Sequence, residues 1–240
     1  MKKSLSFMVG CATLLVVCGS QARAQSVTLS SLLSPGATIT SGDKVFSGFS
    51  YLVNPVSSPD MPTAASIFVT PEIVAGNYGL LFNALWHANP GNGTETAFLS
   101  YTVTVTAPNT FITDVHLDGD PIVNGGNGSA SVTEQVSDTI THTAATARPL
   151  SIFDIATNGG ATHSTRQNDV LNLLAPLTAV NISKTFSASA DGPSSTPQIT
   201  HTDQTFSQTA PEPGSLALLA GVGAPVFGLL LRRRRRASCV

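Results

Sequence analysis

The chain has 240 residues, 11% of them charged, three cysteines and a formal net charge of −2. The cysteines are Cys11, Cys18 and Cys239, so residues 25–213 contain none, which excludes a disulfide framework, a cysteine-ligated zinc and a thiol nucleophile there. That stretch sets four basic residues (Lys44, Arg148, Arg166 and Lys184) against all fourteen acidic ones, a net charge of −10 that argues against nucleic acid and anionic lipid headgroups as partners.

In chain order, Lys2 and Lys3 precede an apolar run over 5–18, and Ala22-Arg23-Ala24 supplies small residues at Ala22 and Ala24 for signal-peptidase cleavage. This predicts a signal peptide over 1–24 and a mature start at Gln25. A lipoprotein anchor is the competing reading, but bulky Val17 precedes Cys18 and too little apolar sequence precedes Cys11. From residue 25 the periodicity is two rather than 3.6. Val45, Ser47, Phe49, Tyr51 and Val53 alternate with smaller or polar neighbours, as do Tyr78, Leu80, Phe82, Ala84 and Trp86. In 98–106, Leu99, Tyr101, Val103 and Val105 point one way and Ser100, Thr102, Thr104 and Thr106 the other. Phe111, Thr113, Val115 and Leu117 then alternate with Ile112, Asp114 and His116. Val132 and Val136, Phe153 and Ile155, Val180 and Ile182, and Ile199 continue the series, while 169–174 reads equally as a short helix or a strand. Asn89-Pro90-Gly91-Asn92-Gly93, Asn124-Gly125-Gly126-Asn127-Gly128, Asn158-Gly159-Gly160 and Asp191-Gly192-Pro193 punctuate these runs as turns. The expected architecture is all-β: a single antiparallel β-sandwich, jelly-roll-like, over 25–206.

Residues 207–213 read as a linker containing Pro211, Glu212 and Pro213. Residues 214–231 carry no charge and, at about 1.5 Å rise per residue, make a helix of roughly 27 Å, close to the roughly 30 Å of a bilayer core. Arg232, Arg233, Arg234, Arg235 and Arg236 then fix that end on the cytoplasmic side, with 232–240 as a cytoplasmic tail and 1–213 across the membrane.

The order Pro-Glu-Pro, apolar helix, arginine cluster resembles the PEP-CTERM sorting signal of bacterial envelope proteins. The resemblance implies an inner-membrane intermediate, processing by an exosortase (a membrane-embedded cysteine transpeptidase), and release to the cell surface or exterior. It also implies an association with exopolysaccharide and biofilm matrix. The same tail occurs on some ice-binding proteins, but Thr102, Thr104 and Thr106 form only one outward row, whereas an ice face needs a flat array across several strands.

Catalytic signatures are few. There is no G-x-S-x-G, no H-E-x-x-H and no phosphate-binding loop in a strand–helix setting. Asp114, His116, Asp118 and Asp120 recur every second residue, which on a strand places them on one face, where oxygen ligands suit calcium. The simpler reading makes them the solvent side of a strand whose other side, Val115 and Leu117, is core. No cofactor is otherwise expected. The favoured function is a non-catalytic structural or binding protein of the envelope. The alternatives are a polysaccharide-acting hydrolase, which needs only two carboxylates brought together by the fold, and a module binding carbohydrate or ice. Trp86 and three tyrosines are a thin supply of aromatic platforms for sugars.

Glu212 between two prolines is held extended, presenting a non-helical strip to a processing enzyme. Mass spectrometry of the protein from its native host is expected to find a chain beginning at Gln25 and ending near 211–213. Replacing Glu212 or deleting 232–236 is expected to leave the precursor in the inner membrane. An intact end at Val240 in the released wild-type protein would refute this processing.

Overall fold

The computed structural model describes residues 25–209; the predicted signal peptide, Pro211-Glu212-Pro213, the apolar span and the arginine cluster lie outside them. Among the described residues there are fourteen strands and one short α-helix: β1 (Val27–Thr28), α1 (Leu29–Leu32), β2 (Thr38–Ser41), β3 (Lys44–Val53), β4 (Phe68–Val74), β5 (Asn77–His87), β6 (Gly93–Val105) and β7 (Phe111–Gly119) form the first half. The second half comprises β8 (Ile122–Asn124), β9 (Gly128–Asp138), β10 (Leu150–Thr157), β11 (Thr162–Arg166), β12 (Asn168–Leu177), β13 (Ala179–Ala190) and β14 (Thr196–Thr209). Sheet A has the order β1-β4-β5-β14-β7-β12, with β8 also paired to β14; sheet B has the order β11-β10-β9-β13-β6-β3-β2. Neighbours are antiparallel throughout, and the two sheets face one another as a β-sandwich. Among the described residues no helix is long and apolar enough to cross a membrane.

The alternation seen in the sequence builds the core. Leu80, Phe82 and Trp86 of β5 and Phe206 of β14 project from sheet A; Leu99, Tyr101 and Val103 of β6 and Phe186 of β13 project from sheet B. Trp86 stacks on Phe186 across the sandwich, with centroids 4.3 Å apart and planes within 5°. Phe46 meets Phe206 at 6.1 Å, and Phe82 meets Tyr101 at 5.7 Å. Each such pair adds roughly 0.5–1.5 kcal/mol beyond the area it removes from water.

Where strict alternation fails, the cause is a local break in the ladder. In β3 the inward residues are Phe46 and then Phe49, not Val45 and Ser47, because Gly48 sits at φ +64° and the register with β6 slips between Ser47 and Ser50. A bulged residue of that conformation shifts the strand by one, which turns every later side chain over. In β7, Ile112 is buried and Phe111 is outside, with a slip in the ladder to β14 between Ser207 and Gln208. Phe153 and Ile155 face outward from β10, while Leu150 and Ile152 are the buried pair. Residues 169–174 belong to strand β12 rather than a helix, and β14 continues to Thr209, past the expected end at 206.

The core also holds a polar centre. Lys184 of β13, Glu134 of β9 and Gln204 of β14 are fully buried, and the Lys184 ammonium donates to both Glu134 Oε2 and Gln204 Oε1. Gln204 Nε2 in turn donates to the carbonyl of His116 on β7 at 2.9 Å. Burial pulls the Lys184 ammonium down and pushes the Glu134 carboxyl up, each opposed by the other's charge. Removing one partner strands the other as an uncompensated buried charge, which costs about 3–5 kcal/mol, whereas replacing both with apolar residues is close to neutral. Lys184→Met is therefore expected to destabilise by about that amount in urea titration, and adding Glu134→Leu to recover most of it. A double variant no more stable than the single one would contradict the pairing.

Candidate functional site

The outer face of sheet A is acidic. Val115 and Leu117 point inward from β7, so Asp114, His116 and Asp118 share the outer side, as the simpler sequence reading has it. They do not act as a set. His116 Nε2 lies 2.8 Å from Asp114 Oδ1 and 3.0 Å from Ser207 Oγ. Asp120, beyond the strand end, accepts the N–H groups of Thr200 at 2.8 Å and His201 at 2.9 Å, and also takes the Thr200 hydroxyl. Among the described residues no three His, Asp or Glu side chains are arranged to hold a metal ion.

Asp118 instead joins carboxylates that are distant in sequence. It pairs directly with Asp203 of β14, and Glu72 of β4 comes from the other side of β5. In the Glu72 row β5 contributes Gly79, so no side chain stands between Glu72 and β14. Burial first, and then the charges of Asp203 and Asp118, push the Glu72 carboxyl up to about 8. Burial likewise raises Asp118, opposed by His116. Asp203 is raised by burial and by Asp118 and Asp120, opposed by His201 and Lys184. Glu72 Oε1 and Asp203 Oδ1 are buried without a hydrogen-bond partner among the described residues. No linear motif announces this cluster; its traces in the sequence are Asp118, within the series recurring every second residue, and His201-x-Asp203 on an alternating segment.

The outer face of sheet B is neutral and hydroxyl-rich. Pairing sets Ser47, Thr102, Asn181 and Ser137 in one row across β3, β6, β13 and β9. The next row is Ser50, Ser100, Ser183 and Gln135. The outward threonines of β6 are thus part of an array across four strands, although Thr106 lies past the strand end and bonds to the Asp43 carbonyl. The segment joining β9 to β10 stands over this array and walls a groove of about 630 Å³, whose floor includes Gly48, Ser100, Thr102, Gln135, Asn181 and Ser183. His142, Ala147, Arg148 and Pro149 form the wall, and no carboxylate lines the groove.

The wall is anchored to both sheets. The Ala145 N–H donates to the Val136 carbonyl at 2.8 Å, and the Leu174 N–H donates to the Ala145 carbonyl at 2.8 Å. Arg148 grips Asp169 of β12 with both terminal nitrogens, at 2.6 and 2.7 Å, and Arg166 of β11 adds a contact at 3.2 Å. Burial pushes the Asp169 carboxyl up, but the Arg148 fork, the Ser151 N–H and Arg166 together hold it below the ordinary carboxylate range. Trp86 and Tyr101 are core residues, whereas Phe98 and Phe153 lie on the outward side of sheet B.

No family model matches the chain, and no curated protein does. Among solved structures it is similar to the enzymatically active domain of tailspike protein 4 from bacteriophage CBA120, with 12% identity and a TM-score of 0.26 over 67% of this chain and 19% of that one. It is also similar to endoglucanase 3 of Trichoderma harzianum, from family GH12, with 11% identity and a TM-score of 0.26 over 79% of this chain and 100% of that one. The chain spans only 19% of the tailspike domain's length, and likenesses at these scores carry no argument about activity.

A carboxyl raised from 4.5 to about 8 on folding binds its proton more tightly in the native state. The stability it contributes is complete below about pH 4.5 and is lost as pH rises to about 8. Asp118 and Asp203 act in the same direction. The melting temperature is expected to fall between about pH 5 and 9, and Glu72→Gln to flatten that fall. An unchanged slope in the variant would remove Glu72 from the cluster.

Proposed function

We propose that the protein is an exported, non-catalytic module of the cell envelope whose sandwich, jelly-roll-like in its pattern, holds a glycan of the extracellular matrix in the groove of sheet B. The carrying observation is the chemistry of that groove: neutral hydroxyl and amide side chains over a four-strand floor, with no carboxylate among them. Such a lining donates and accepts hydrogen bonds as a sugar does and lacks the paired acids that glycoside hydrolysis requires. The Pro211-Glu212-Pro213 motif, apolar span and arginine cluster support export, exosortase processing and delivery to the surface.

A second reading rests on Glu72. Glycosidic bonds are cleaved by an acid kept protonated beside a second carboxyl group, and the sheet A face sets Glu72, raised to about 8, near Asp118 and Asp203. Titration of the full-length protein in detergent with oligosaccharides from the host matrix separates the two. The groove reading expects binding without new reducing ends, weakened about tenfold or more by Asn181→Leu and unaffected by Glu72→Gln. Release of reducing ends that Glu72→Gln abolishes would replace it with the hydrolase reading.

A further inference from the structure

The four lysines and arginines of the described residues are unequally placed. Lys44 and Lys184 are fully buried, so the exposed cations are Arg148 and Arg166, with 46% and 43% of their side chains accessible. Both sit on one carboxylate, Asp169 of β12, which Arg148 reaches from the groove wall and Arg166 reaches from β11, just outside the groove's lining. Two guanidinium groups against one carboxylate leave a local net charge of +1 on a chain that is otherwise strongly acidic.

The two arginines are not equally engaged. Arg148 spends its terminal nitrogens on Asp169 and on the Pro149 carbonyl. Arg166 makes one contact, 3.2 Å to Asp169, among the described residues, leaving most of its five N–H donors for other acceptors. It lies over the ring of Phe153 at 5.8 Å, its partner across the β10–β11 ladder, and Phe153 in turn pairs with Ser131 on the hydroxyl-bearing side of sheet B. A guanidinium backed by a ring and with most of its N–H donors uncommitted can make two-point contact with a carboxylate.

The acidic cluster is on the other face. The carboxylates Glu72, Asp114, Asp118 and Asp203 lie on the outer face of sheet A, on the opposite side of the sandwich from the groove. An anion approaching sheet B therefore meets the arginines before it meets those acids.

We propose that Arg166, set by Asp169 and supported by Arg148, forms an anion subsite at the end of the groove, and that the glycan held there is an acidic one bearing uronate carboxylates. This rests on the groove being a glycan site. Sugar hydroxyls meet the Ser, Thr, Asn and Gln floor, and the carboxylate meets the Arg166 edge.

The test is calorimetric titration of the full-length chain in detergent with size-matched oligosaccharides: oligogalacturonate or oligomannuronate, a neutral oligogalactan and a sulfated oligogalactan. The wild type is expected to bind a uronate oligomer at least tenfold more tightly than the neutral one, with the preference lost in about 0.5 M salt. Arg166→Gln is expected to erase the preference while retaining neutral-sugar binding and an unchanged melting temperature, which a purely structural seam contact would not do. Phe153→Leu is a second variant, expected to weaken uronate binding without altering the Asp169 ion pairs. Equal binding of neutral and uronate oligomers, preference for the sulfated oligomer alone, or an Arg166→Gln variant that keeps the preference would each overturn the subsite and leave the groove standing. Failure of the wild type to bind any of the oligomers, or the host glycan, would overturn both.

Discussion

The buried contact of Lys184 with Glu134 and Gln204 constrains the sandwich more than any apolar pair does. An apolar core tolerates sliding of one sheet over the other, because one methyl group packs nearly as well as the next. An ammonium that must find two acceptors in a dry interior has one arrangement. That arrangement fixes β9 and β13 in sheet B against β14 in sheet A, and Gln204 carries it on to the backbone of β7. The register that puts Phe186 on Trp86 inside also puts Asn181 and Ser183 outside, so the groove floor inherits its order from a charge it never touches.

The fold was largely legible because alternation is a local signal. β6 and β13 follow it strictly, and the Gly- and Asn-rich clusters lie in the connections where they were expected. The misreadings in β3 and β7 have one cause: a bulge adds a residue without changing composition, and only Gly48, at positive φ, marks the first of them. Phe153 and Ile155 misled because they are large and apolar, whereas their neighbours Leu150 and Ile152 are the residues that reach the core.

The candidate sites were much less legible, because both are assembled by pairing between strands remote in sequence. Asp118 meets Asp203 and Glu72 only through the order β4-β5-β14-β7. Similarly, Asp114, His116 and Asp118 share a side of β7 and Asp120 follows its end, but the series divides among separate partners, since its other neighbours come from β14. Arg148 and Arg166 show no pattern with Asp169 beyond a shared stretch of chain, and the wall they secure exists only where the β9–β10 connection reaches β12.

The path of β14 has a mechanical consequence. This strand lies inside sheet A, hydrogen-bonded to β5 along one edge and to β7 and β8 along the other, and it runs to Thr209, the residue before Ala210-Pro211-Glu212-Pro213. A force applied through the tail therefore acts along the axis of a strand clamped on both sides. The two ladders are loaded in shear, where many bonds must yield together, and not peeled one at a time as at a sheet edge. Tension along β14 thus meets one of the strongest orientations a β-sheet offers.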